Sequence, residues 1–335
     1  MKKFVLHIIV FCIPMFVILG IYVYMDVFKI FGHYDCYYQK NDFIEINRGY
    51  VSTENYINKR ERYQYDSFIW GNSRSIRYSI NDWKTHLPAG SSCYHFDGSA
   101  EISDVLTKKI IFADKMGSKI KNALIVIDSS VFTRSSSDFT HLSETPPILE
   151  DNNNLLLFHT RFLRVFFNPK FLYAIADYKL NGILRPYMHD IFLTYPMGYD
   201  SITNELSFYY LEDLIRKGKY FDKKRVSCFT NFQRPGEIND AVISKDHIET
   251  LKTIKDIFTK HQTDYRIIIS PLYDQVKMNP KDIEILNNIF GKNRVFDFSG
   301  VNKWNSDYHN YYEASHYRPC VAKEIMEIVY KDNLK

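Results

Sequence analysis

Asp66-Ser-Phe-Ile-Trp-Gly-Asn-Ser-Arg-Ser-Ile-Arg77 reads as a strand, a break and the start of a helix. Ser67–Trp70 is a short apolar run with an aromatic core, the pattern of a buried strand. Gly71 and Asn72 break it, Ser73 falls at the turn, and helix is expected from Ser75 onward. A serine on such a turn presents its hydroxyl at the carboxyl end of a sheet. Its backbone N–H lies near the positive end of a helix dipole. That placement suits a nucleophile whose product is an oxyanion. An isolated Gly-Asn-Ser is more often a plain turn. Weight comes from a second stretch near the other end of the chain, Tyr311–Pro319.

Outward from Ser67 the pattern repeats as strand, turn and helix. A helix is expected over Ser75–His86, a strand over Ser92–Phe96 leading into Asp97-Gly-Ser99, and a helix over Glu101–Met116. Ile102, Val105, Leu106, Ile110 and Ile111 recur there at helical spacing. Ala123–Ile127 reads as a buried strand ended by Asp128-Ser-Ser130. The rhythm lapses over about 133–243, where Leu155–Leu184 is apolar and aromatic. We read a mainly helical insertion that packs on the sheet or forms a lid or groove for an acyl donor, a polymer or a membrane partner. It resumes with a helix at Asp246–Lys260 capped by Ser244 and a strand at Tyr265–Ser270. A helix at Pro280–Phe290, a strand at Arg294–Phe298 and a helix from Arg318 or Pro319 complete it. Strands alternating with crossover helices imply a parallel α/β sheet, with its working face at the strands' carboxyl ends.

The chain opens Met-Lys-Lys and runs apolar from Phe4 to Tyr24, interrupted by His7, Pro14 and Gly20. No small-x-small cleavage site follows, so residues 1–26 read as a transmembrane signal anchor rather than a cleaved leader. Lys2 and Lys3 place the N-terminus in the cytoplasm and the rest outside it. Residues 27–65 read as a polar, Tyr-rich connector, a stalk or a wrap, in which Lys59-Arg-Glu-Arg62 is a solvated face. The remaining domain covers 66–335. The net charge of +4 is spread along the chain, which argues against a nucleic-acid binder. Of five cysteines, Cys12 lies in the apolar run. Cys36, Cys93, Cys228 and Cys320 leave room for one or two disulfides. No Cys-x-x-Cys suggests a metal or redox site, and no cofactor is expected.

The second stretch is Tyr311-Tyr-Glu-Ala-Ser-His-Tyr-Arg-Pro319. Glu313 three residues before His316 can orient the imidazole and stabilise its protonated form. In a parallel sheet this loop and the Ser73 turn share one face, so His316 could take the Ser73 proton. Asp307 and His309 form a second, lower-ranked acid–histidine pair. Asn72, Arg74, Arg77 and Tyr317 are candidate substrate contacts. The two arginines suit an acidic substrate or, equally, salt bridges at a helix start.

These residues carry a resemblance to the SGNH/GDSL hydrolases. Phe68-Ile-Trp-Gly-Asn-Ser-Arg-Ser75 resembles the family's first block, Gly-Asp-Ser, with Asn72 in place of Asp. Phe96-Asp-Gly-Ser-Ala100 resembles the second, and Glu313-Ala-Ser-His316 the last, Asp-x-x-His, with Glu for Asp. The resemblance covers about 67–128 and 244–332. It implies a flavodoxin-like three-layer sheet with Ser73 as nucleophile, His316 as base then acid, Glu313 as its orienter, and the N–H groups of Ser73 and Gly98 in the oxyanion hole. The family's third block, Gly-x-Asn-Asp, has no counterpart at Ile127-Asp-Ser-Ser130; Ser129, Ser130 or a backbone N–H would have to replace its Asn. An anchor joined to such a domain is similar to the teichoic-acid D-alanylation and alginate acetylation proteins of the cell envelope. That implies an acylated glycan or polyol polymer as substrate and a membrane-bound acyltransferase or acyl donor as partner. Two other expectations stand beside it: a non-catalytic accessory protein on a decayed hydrolase fold, and a phosphate-binding module at the Ser73 turn.

Overall fold

In the computed structural model, residues 2–39, 43–150, 154–193 and 195–331 are described. The parts of the expected segments at 1, 40–42, 151–153, 194 and 332–335 lie outside them. In chain order the elements are α1 (Lys2–Met25), α2 (Arg48–Tyr63), β1 (Ser67–Gly71), α3 (Ile80–Lys84), β2 (Cys93–His95), α4 (Ser103–Lys115) and β3 (Asn122–Ile127). Then come α5 (Ser130–Thr133), α6 (Leu155–Phe166), α7 (Pro169–Asn181), the ribbon β4 (Gly198–Asp200) and β5 (Glu205–Ser207), α8 (Tyr209–Arg216) and α9 (Lys223–Ser227). The chain closes with α10 (Lys245–His261), β6 (Asp264–Ile269), α11 (Pro280–Phe290), β7 (Val295–Asp297), the hairpin β8 (Tyr311–Glu313) and β9 (His316–Tyr317), and α12 (Pro319–Val329).

The main sheet has the order β2-β1-β3-β6-β7, and every pairing in it is parallel. Its strands alternate faces with period two. Phe68, Trp70, Ile125 and Ile267 pack under Tyr56 of α2, Ile110 of α4, Ile254 of α10 and Leu286 of α11. Ile69, Leu124, Val126 and Ile268 face the other way, against Trp83 of α3 and Val321, Ile325 and Met326 of α12. Both faces are covered, so the strands read as unbroken apolar runs rather than alternating ones. Helix, sheet and helix thus form three layers, and each buried aliphatic or aromatic side chain in them contributes about 1.5–3 kcal/mol.

Three expectations are corrected. The helix over Ser75–His86 is two pieces. A 3-10 turn at Ser75–Arg77 ends in extended backbone at Tyr78, and Ser79 restarts the chain by capping α3 with its side chain. No long helix therefore stands behind Ser73, and the helix-dipole argument does not apply. The connector is not a stalk: α2 buries Arg48, Val51, Ser52, Thr53, Asn55 and Tyr56. Arg48 forms a bidentate pair with Asp97, through Nε to Oδ2 and Nη2 to Oδ1, each 2.7 Å. Burial pushes the Asp97 carboxyl up, but Arg48 and His95 together hold it well below the carboxylate range. Among the described residues no helix is long and apolar enough to cross a membrane. The end of α1 is packed, with Tyr22 buried against Phe28, Phe31 and Phe166. Lastly, all five cysteines are free thiols.

Candidate active site

The turn after β1 is set by three residues. Gly71 has φ +145°, and a Cβ there would collide with the Val126 carbonyl oxygen of the neighbouring strand. Asn72 is buried, and its Oδ1 accepts the Arg74 N–H at 3.1 Å. Its carbonyl accepts the N–H and hydroxyl of Ser75 at 2.9 and 2.7 Å. These bonds fold the chain tightly around Ser73 and leave its side chain half-buried at the carboxyl end of the sheet. Asn72 Nδ2 donates to Asp128 Oδ2 at 2.8 Å. An aspartate at 72 would set two buried carboxylates against each other, which accounts for the amide at this place.

The second half of the site is a hairpin. β8 and β9 are antiparallel, with Glu313 paired to His316 across the turn. Ala314 and Ser315 make the bend, so the three-residue spacing is that of a hairpin and not of a helix. Ser73 Oγ and His316 Nε2 are 2.7 Å apart. His316 Nδ1 hydrogen-bonds Glu313 Oε1, whose second oxygen accepts the Ser315 N–H at 2.7 Å. Burial lowers the His316 pKa, Glu313 opposes this, and the charges of Arg77 and Arg74 add to the lowering. Burial raises that of Glu313, but the His316 contact, the Ser315 N–H and Arg77 outweigh it and hold the carboxyl below its ordinary value. The pair is thus a carboxylate beside an imidazole that stays neutral below the usual histidine range. A neutral Nε2 within hydrogen-bond distance of a hydroxyl can accept its proton. The Glu313 and His316 side chains keep 44% and 25% of their surface exposed, so a substrate can reach the site.

Arg74 ties the two halves together. Its Nη1 donates to Asp128 Oδ2 at 2.6 Å and its Nε to the Ser315 carbonyl at 3.0 Å. Asp128 is buried, and its other oxygen accepts the Ser130 N–H at 2.9 Å. One guanidinium therefore joins the turn after β1, the end of β3 and the residue before His316.

The remaining candidates fall elsewhere. Gly98 does not supply an oxyanion donor, because parallel pairing continues past β2 and commits its N–H to the Gly71 carbonyl at 3.1 Å. A side chain at 98 would also strike the buried Glu101–Lys109 ion pair. Among the described residues, the N–H groups of Ser73, Ser99 and Ala100 have no protein partner. Asn72 and Arg74 are spent on internal bonds. Tyr317 is fully buried with its hydroxyl donating to Tyr78 Oη at 3.2 Å. Arg77 is 7% exposed, and its guanidinium lies over the rings of Phe208 and Tyr312 at 3.9 and 4.9 Å. Ser129 Oγ accepts Asn239 Nδ2 at 2.9 Å. Asn239 thus brings an amide to the end of β3 from far along the chain, a residue the sequence reading passed over. Asp307 and His309 pair with each other at 2.7 Å on the surface. Among the described residues no cluster of His, Cys, Asp and Glu side chains could hold a metal ion. No family model, curated protein or solved structure matches this chain.

Proposed function

We propose that the protein is a serine acyl-ester enzyme, a hydrolase or O-acyltransferase of the SGNH kind. The observation that supports it is the chain of contacts from Ser73 Oγ to His316 Nε2 at 2.7 Å and from His316 Nδ1 to Glu313. Ser73 attacks the acyl carbonyl while His316 takes its proton, and Glu313 orients the ring and stabilises the imidazolium. The oxygen of the tetrahedral intermediate needs donors, and the Ser73 N–H, which has no protein partner, is one of them. His316 then returns the proton to the leaving oxygen. Water or a sugar hydroxyl, deprotonated by His316 in its turn, releases the acyl group. As substrate we propose an acylated glycan or polyol polymer of the cell surface. A membrane-bound acyl donor or acyltransferase would be its partner.

The test is acylation. The full chain is incubated with p-nitrophenyl acetate and its peptides are weighed. An acetyl increment on the Ser73 peptide that vanishes in Ser73→Ala and His316→Ala supports the proposal. Full turnover by Ser73→Ala refutes it. A second reading, a non-catalytic accessory protein on the same fold, is favoured by the commitment of the Gly98 N–H to Gly71. Labelling of Ser73 by a fluorophosphonate removes that reading.

A further inference from the structure

Two arginines follow Ser73, and their charges are handled in opposite ways. Arg74 is matched by Asp128. Arg77 is buried without a carboxylate: its Nε and Nη1 are closed off from solvent and have no hydrogen-bond partner. Burying a guanidinium with open donors is costly, and buried polar groups left open call for a physical explanation. Another acid that feels its charge, Glu212 of α8, is engaged elsewhere. It accepts Arg318 Nε at 3.0 Å, Arg318 Nη2 at 2.6 Å and the Tyr312 hydroxyl at 2.7 Å.

What holds Arg77 is aromatic. Phe208, at the start of α8, and Tyr312, the residue before Glu313, present ring faces to it. Ring faces attract a cation but leave its charge uncancelled. We propose that Arg77 is an electrostatic positioning residue of the candidate site, clamped between two rings so that its unmatched charge falls on the Glu313–His316 pair. This rests on the Ser73–His316–Glu313 reading and adds a member that touches no substrate.

The electrostatics run the same way. Tyr312, Tyr195, Glu313 and Tyr317 act most strongly on Arg77, and Glu212 feels its charge as well, so the two acids in its field are Glu313 and the already paired Glu212. Those that act on His316 are Glu313, which favours the imidazolium, and Arg77 and Arg74, which oppose it. Arg77 also favours the Glu313 carboxylate. A cation here keeps the base free of its proton and its orienter ionised. The clamp also makes this depend on the insertion, because Phe208 belongs to it.

The experiment is a proton NMR titration of the intact protein with its histidine rings isotopically labelled, His316 being assigned through His316→Gln. Wild type, Arg77→Met and Arg77→Lys are compared, with circular dichroism as the check on folding; Arg77→Gln replaces Arg77→Met should the latter not fold. The expected result is a His316 midpoint that moves up when the charge is removed and stays near the wild-type value in Arg77→Lys. A folded, uncharged variant with an unmoved midpoint overturns the proposal. The pH profile of p-nitrophenyl acetate turnover separates it from the reading beneath. A moved midpoint without turnover in any form supports the role of Arg77 while the enzyme reading fails. Ser73-dependent turnover with an unmoved midpoint does the reverse.

Discussion

Replacing Arg74 with alanine tests how the two halves of the site are held together. The change strips a buried carboxylate, Asp128, of its cation and frees the Ser315 carbonyl next to His316. Breaking a buried ion pair from one side costs about 3–5 kcal/mol. Arg74 keeps 12% of its side-chain surface in water, and the Asn72 amide and Ser130 N–H remain on Asp128. The expected loss is therefore roughly 2–4 kcal/mol, or a fall in Tm of about 3–6 °C. The loss is also pH-dependent. In the wild type, burial pushes the Asp128 carboxyl up, but Arg74, Ser130 and Asn72 bring it below its ordinary value. A carboxyl depressed by folding contributes stability above its unfolded pKa and loses it as pH falls through the folded one. Without Arg74 the burial effect gains and the Asp128 carboxyl rises toward its unfolded value, so less stability is lost to it as pH falls: the deficit of Arg74→Ala should be largest near neutrality and shrink on the acid side. The assay is thermal unfolding of wild type, Arg74→Ala, Asp128→Asn and the double variant across pH. If the pair is coupled, the double variant is more stable than the sum of the singles implies, by about 1 kcal/mol or more. Strict additivity, or an Arg74→Ala protein that melts within a degree of wild type, refutes the reasoning.

The acylation rate of Ser73 should rise with pH through a midpoint below the ordinary histidine value, since burial and two arginines favour neutral His316; a rate profile with its acid limb above neutrality would contradict this. Glu313→Gln removes the carboxylate that favours the imidazolium, so the midpoint should fall further while the maximal rate drops by on the order of 10²–10⁴-fold; unchanged turnover would exclude Glu313 from the proposed triad. Gly98→Ala forces a methyl into the Glu101–Lys109 pair and should lower stability by about 1–3 kcal/mol, read as a lower midpoint of denaturant unfolding. Denatured without reductant, the chain should show five titratable thiols with a colorimetric thiol reagent; three would reveal a disulfide.

How far the site was readable from sequence depends on where each signal lay. The strands Ser67–Gly71, Asn122–Ile127 and Asp264–Ile269 announced themselves because burial on both faces left no polar position in their middles apart from Arg266. Ser73 and His316 could be paired because a parallel sheet gathers the carboxyl ends of its strands. Helix α2 was hidden for the opposite reason. Its buried residues include Arg48, Ser52, Thr53 and Asn55, so it has no apolar stripe, and its partners, such as Asp97 and Asn204, are distant in the chain. The split after Ser73 turned on a single cap, Ser79, inside what read as one helix. Gly98 was misjudged because its N–H is decided by sheet register, a property of two strands and not of one motif. Arg74 and Arg77 are three positions apart and alike in type; only the fold gives one a carboxylate and the other two aromatic rings.

Ser73 and His316 are 243 positions apart, and the hairpin that carries Glu313 and His316 precedes only the last helix, α12. A chain emerging from the ribosome would form β1, β2 and β3 long before residue 316 exists. During that time the serine would have no base, whatever else had folded. Chemistry at this site therefore cannot begin before residue 316 has been made and α12 has closed the sheet's second face. That order keeps a nascent polypeptide inert toward esters. It also means that proteolytic loss of the chain from Tyr311 onward would leave Ser73 on its turn with no base to activate it.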